Sequence, residues 1–357
     1  MKLFLIIVGA LVTAFVLCLL ILILWLRWVL RKLRGSVENQ FGDLAEAMER
    51  SIPPFRINLE RLPAVEWQQP DEAASLIEPL RQAGFGEVGS FAIQPGEIAL
   101  VALCRPSDSI YAVVYQHPKA GVWLDLITRY QDGSRIIYCS QRDTLLDRPE
   151  HTAVRYYEGT PAQELLSRFL AERPSKPMES MSADDFVGHF EGAYAESLDW
   201  MMARGGPTEE EIRRQCEQGG KECTPVIVST IRKLWSAAIE AFYNRQLQER
   251  FLADAQPPAA RWEQIRDRLV FVHDRLSPEQ LEALCDQEFD EFDEEQEADE
   301  DSSPARNALV LTDGSGPPRQ AFARWNATVE SERRYEKIGE LSAPMAADVY
   351  LLPNSED

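Results

Sequence analysis

From Leu3 to Leu26 the chain runs for 24 residues without a charge, LFLIIVGALVTAFVLCLLILILWL. At about 1.5 Å of rise per residue, a helix of that length measures about 36 Å, enough to cross a hydrocarbon core of roughly 30 Å with some tilt. A buried core helix rarely carries so long an uninterrupted apolar stretch. The hydrophobic part of a cleaved signal peptide is shorter, roughly 7–15 residues, and ends at a small-residue cleavage site. Here Trp25 lies next to the end of the run, and Arg27 and Trp28 follow it. The sequence therefore predicts a retained, single-pass signal-anchor helix within residues 1–35. Its predicted membrane interface is Trp25, Arg27, Trp28, Arg31, Lys32 and Arg34, with indoles at headgroup level and cations near the lipid phosphates.

Four cations follow the span, whereas only Lys2 and the amino terminus precede it. The positive-inside bias then places the soluble body in the cytoplasm. An envelope protein with an extracytoplasmic body is the alternative. Small residues at Gly9 and Thr13, or Ala10 and Ala14, are spaced to let two anchors pack. Within residues 36–70, Val37, Phe41, Leu44 and Met48 repeat at 4-3-4 spacing, the pattern of an amphipathic helix. It is too short for an independent coiled coil, so it either docks on the body or pairs with a second copy. A homo-oligomer through the anchor and juxtamembrane helix follows from the latter. Pro53-Pro54 ends the helix, and residues 53–70 read as an irregular linker.

Residues 71–173 read as one α+β domain. A helix over about Asp71–Ala83 stops at Gly84. Apolar, β-branched runs follow at Glu87–Ile93, Ile98–Cys104, Ile110–Tyr115, Val122–Tyr130, Arg135–Cys139 and Val154–Tyr157, several joined by short turn-forming links such as Asp132-Gly133. The expected sheet is an antiparallel meander, with one face covered by helices before and after it. Within it, Trp123, Asp125 and Ile127 alternate onto one face. Tyr115, Trp123 and Asp125 are the candidate ligand face, although alternation on a half-exposed strand accounts for the same residues.

Residues 180–290 read as an all-α region. Its signals are Phe186, Phe190, Tyr194, Leu198 and Met201 at helical spacing, a Thr208–Glu211 capping box, a long helix after Pro225, and helices over Trp262–Leu276 and Pro278–Phe289. Residues 286–301 hold eleven carboxylates. Such density keeps a chain extended, so 286–320 is expected to be an acidic disordered segment, followed by a tail over 321–357.

The whole chain carries 58 acidic against 37 basic side chains, a net charge of -21. That balance repels phosphate backbones and argues against nucleic acid as a partner. The four histidines, His117, His151, His189 and His273, show no metal-ligand spacing, and Cys216 and Cys223 have no second pair to complete a zinc site. No nucleotide-binding or nucleophile-elbow motif occurs. Neither a cofactor nor a metal is expected. The reading is a membrane-anchored interaction or scaffold protein, with the lipid bilayer and a protein as its partners and no catalysis of its own. Its alternative is a membrane-bound enzyme whose site assembles from scattered residues.

Overall fold

The computed structural model describes residues 52–220, 222–276, 278–286, 316–329, 331, 334–343 and 345–352. The apolar run and its basic flank, the 37–48 repeat and residues 287–315 lie outside the described residues, whereas residues 318–320, expected to be disordered, open a helix. Within those residues, no helix is long and apolar enough to cross a membrane. The chain divides into two compact units between Ala238 and Ile239.

The first unit is built on a seven-stranded sheet in chain order: β1 (Asn58–Leu62), β2 (Gly86–Gln94), β3 (Ala99–Arg105), β4 (Ile110–His117), β5 (Gly121–Arg129), β6 (Arg135–Cys139) and β7 (Thr152–Tyr156). Neighbours pair antiparallel from β1 to β6, but β7 lies parallel to β6. The expected antiparallel meander is thus corrected to a mixed sheet. Two strands joined by only a tight turn must run antiparallel. The twelve residues between Cys139 and Thr152 are long enough to carry the chain back and restart it in the same direction. The linker reading of 53–70 also gives way, since β1 pairs with β2 along its whole length.

Helix α1 (Pro70–Gln82) opens on a proline, whose missing N–H costs nothing in the first turn. It buries Ala73, Leu76, Ile77 and Leu80, one face at 3.6-residue spacing. Gly84, at φ +86°, takes the left-handed position. The Gly84 N–H then donates to Arg81 O and the Phe85 N–H to Leu80 O, at 3.0 and 3.1 Å, a Schellman stop. Helix α2 (Ala162–Glu172) buries Leu165, Leu166 and Phe169 beside α1, and both pack on the face formed by Leu103, Ala112, Val114, Leu124 and Leu126.

The opposite face is not left open to solvent. Helix α3 (Phe186–Ala203) covers part of it, with Phe186 against Phe91 and Tyr111 at ring separations of 5.7 and 5.2 Å. Helix α4 (Glu209–Gln218) begins at the predicted capping box, Thr208 and Glu211 each satisfying the other's backbone N–H. Helix α5 (Pro225–Ala255) then runs across the division between the units.

In the second unit, α6 (Ala259–Ile265) is followed by β8 (Leu269–His273), then α7 (Pro278–Asp286), α8 (Pro318–Thr328), β9 (Glu336–Leu341) and β10 (Ala347–Leu351). The three strands form an antiparallel sheet in the order β8-β10-β9. The all-α expectation for 180–290 is therefore corrected. The run Leu269–His273 forms a strand because its two apolar sets face different cores: Val270 and Val272 meet α7 and α8, and Phe271 meets Phe251 and Ile265. Asp348 is buried on β10 and paired with Arg319 and Lys337, each at 2.7 Å.

Candidate functional site

Between the open end of the sheet and α3 lies a cavity of about 490 Å³, within the roughly 300–1,000 Å³ typical of small-molecule sites. Its walls are mostly apolar and aromatic. The sequence candidates Tyr115, Trp123 and Asp125 all line it. Register brings them together. Tyr115 on β4 pairs directly with Trp123 on β5, and their rings stack at 4.8 Å and 12°. Asp125, two residues on, lies on the same face, flanked across the ladders by Val113 and by Cys139 of β6. Helix α3 closes the other side with Phe186, His189, Phe190 and Tyr194, which share one helical face.

Asp125 is the unusual member. It is enclosed by protein, and the part of it that touches solvent belongs to the cavity lining. Burial raises its carboxyl to about 6, against the opposing influence of the Cys139 thiol, the Tyr115 hydroxyl and the Arg148 charge. Its Oδ1 is fully buried and has no hydrogen-bond partner. Buried polar atoms in folded proteins are nearly always bonded, so such an oxygen calls for an explanation. A second buried oxygen without a partner, Thr152 Oγ1, lines the same cavity from β7.

The other polar groups are occupied. Arg135, at the start of β6, is buried, with one guanidinium nitrogen 2.8 Å from Glu196 and another donating to Ser197 at 3.1 Å. Burial lowers its pKa and Glu196 opposes that shift. Arg129 pairs with Glu179 at 2.8 Å. Arg148 sits exposed at the rim and donates to the hydroxyls of Thr144 and Tyr156 at 3.4 and 3.3 Å. The Tyr111 hydroxyl donates to Ser182 O at 2.6 Å and lies 3.3 Å from His189 Nδ1. Burial pushes the Cys139 and Tyr115 groups well above their ordinary values, so both stay protonated.

Sequence reading alone missed Arg135, Cys139, Thr152 and the α3 wall. Arg135 and Cys139 sit on the same face of β6 as each other, a period-2 signal, but only the register assigns that face to the cavity. The interface residues Trp25, Arg27, Trp28, Arg31, Lys32 and Arg34 lie outside the described residues. Of the remaining histidines, His117 caps its own turn by accepting from the Lys119 and Ala120 N–H groups at 3.1 Å. His273 lines a smaller cavity in the second unit.

Among the described residues, no three His, Cys, Asp or Glu side chains gather to hold a metal ion. Another cavity in the first unit, about 460 Å³, is lined by Trp200 and Trp235, but its carboxylate, Asp147, already takes Arg214 at 2.6 Å. Comparison with protein-family profiles, curated proteins and solved structures finds no match for this chain.

Proposed function

We propose that this is a single-pass membrane protein whose first unit binds a small molecule with an apolar body in the cavity between the sheet and α3. The observation carrying the reading is Asp125: a carboxylate enclosed among aromatic side chains, with one oxygen buried and unpartnered. Such a group is expensive to maintain for packing alone, and ligand sites are where that expense is usual. The tether fits the same reading, because molecules with apolar bodies concentrate in and beside lipid. The charge asymmetry around the apolar run favours a cytoplasmic body, and the acidic segment suits contact with a basic protein partner.

A membrane-bound enzyme is the second reading, favoured by the meeting of Asp125, Cys139 and His189 around one cavity. Binding fits better. The Cys139 thiol is held protonated by burial and by the neighbouring carboxylate, the opposite of what a nucleophile needs. Asp125 near 6 suits proton transfer, but the thiol that shares a hydrogen bond with it, Cys139, is the group that burial holds protonated.

The test is a fragment screen by calorimetry on the full chain, extracted from membranes with detergent. Fragments of naphthalene size are expected to bind, and Ala193→Trp, which fills the cavity from α3, is expected to abolish their binding while leaving the unfolding temperature within a few degrees. Hits that bind the variant equally, or no hits at all, contradict the reading.

A further inference from the structure

The charge balance inside the cavity points to the class of ligand. Three guanidinium groups line it, and each already has partners: Arg129 with Glu179, Arg135 with Glu196 and Ser197, and Arg148 with two hydroxyls at the exposed rim. An anionic ligand would have to displace those partners or bind at the mouth. The carboxylate of Asp125 is in the opposite position, its Oδ1 buried and without a donor. Its neutral neighbours, Tyr115 and Cys139, remain protonated and bond to the carboxylate, but they bring no countercharge, and burial outweighs them together with the distant Arg148 charge. The rings of Tyr115, Trp123, Phe186 and Phe190 line the same cavity. Electron-rich ring faces attract cations, and a carboxylate ringed by aromatic side chains is the arrangement that recognises ammonium groups.

We propose that the cavity accepts an organic cation, an amine on an aromatic or alicyclic body, whose nitrogen pairs with the cavity-facing side of the Asp125 carboxylate. The proposal rests on the ligand-binding reading above and adds to it the charge and chemistry of the occupant. An ammonium group supplies an N–H donor together with what the neutral neighbours of the buried anion lack, a countercharge.

The experiment is a calorimetric titration of the full chain in detergent with three probes of one shape: 1-naphthylmethylamine, 1-naphthylmethanol and 1-naphthoate. At pH 7.5 the amine is expected to bind at least about tenfold more tightly than the alcohol, the factor that one charge-assisted hydrogen bond supplies. The carboxylate is expected to bind most weakly. Asp125→Asn is expected to erase the preference for the amine while retaining affinity for the alcohol. The amine should also weaken by about tenfold between pH 7.5 and pH 5.0, as Asp125 takes up its proton, whereas the alcohol should not. His189 faces the same cavity from α3, so the pH comparison is made in Asp125→Asn as well, where the amine's loss should disappear.

Equal binding of amine and alcohol, or tightest binding of the carboxylate, overturns the cation proposal and leaves the ligand-binding reading standing. Failure of all three probes to bind overturns both.

Discussion

At the scale of single residues, Asp125 is where stability and function pull apart. Its carboxyl sits at about 6 instead of the ordinary 3.8. Holding it ionised at neutral pH therefore costs the fold about 3 kcal/mol. The sign follows from which form the fold prefers. Protonated Asp125 is the better tolerated form, so its contribution is whole below about pH 4 and is lost as pH rises through about 6. Asp125→Asn, neutral at every pH, is expected to stabilise the protein by about 1–3 kcal/mol at pH 7.5. That gain should vanish below pH 4 in urea denaturation series at the two pH values. A variant no more stable than wild type at pH 7.5 would show that the carboxylate is compensated in the native protein. Glu211 is a contrasting buried carboxylate: it accepts from Arg204 and from the Thr208 N–H at 2.6 Å each and from the Asp147 N–H at 2.7 Å. Those bonds outweigh its burial and hold it below the ordinary glutamate range. Burial is common to both residues, and partners separate them.

At the scale of elements, α3 is the wall that makes a cavity out of a sheet face, and it contains two glycines. A Cβ built at Gly188 or Gly192 meets nothing within 4 Å. Gly188→Ala and Gly192→Ala are each expected to stabilise the helix by about 0.5–1 kcal/mol, through lower backbone entropy in the unfolded chain. Gly206 differs: it sits at φ +93°, and a Cβ there would lie 2.9 Å from the Trp235 side chain. Gly206→Ala should therefore destabilise by more than about 1 kcal/mol, since strain and overlap act together. Chemical denaturation of the three variants distinguishes these cases, and a destabilised Gly188→Ala would contradict the placement of α3.

Much of this element layer is legible in the sequence because its signals are local. The apolar spacing of α1, the glycine that ends it, the Asp132-Gly133 turn and the Thr208–Glu211 box are each written within a few residues. Tyr115, Trp123 and Asp125 follow from period-2 alternation, which is local as well. What escapes is set by distant pairing. β1, Asn-Leu-Glu-Arg-Leu, lies at a sheet edge and is largely exposed, so it carries little apolar signal. β7 returns parallel through a twelve-residue link that no turn motif announces. β8 carries apolar residues on both faces, a pattern that a short buried helix shares. Which strand faces bound the cavity depends on register and on α3, which begins thirty or more residues further along the chain.

At the scale of the whole chain, an apolar segment long enough to span a bilayer precedes a body of net negative charge, and the first unit of that body carries a cavity with an unbalanced carboxylate. The tether and the cavity are separate inferences. Recovery of the intact chain from the soluble fraction without detergent would contradict the tether and leave the cavity untouched. The chemistry of the cavity turns on one physical property, the burial of the Asp125 carboxyl away from bulk water and from any paired cation. It is measured most directly by following that carboxyl through a pH titration of the ligand-free full chain, using carbon-13 NMR of labelled aspartate with Asp125→Asn to assign the signal. A midpoint near 6 is the predicted result. A midpoint near the ordinary aspartate value would mean that the carboxylate is solvated or already paired, and would contradict the account.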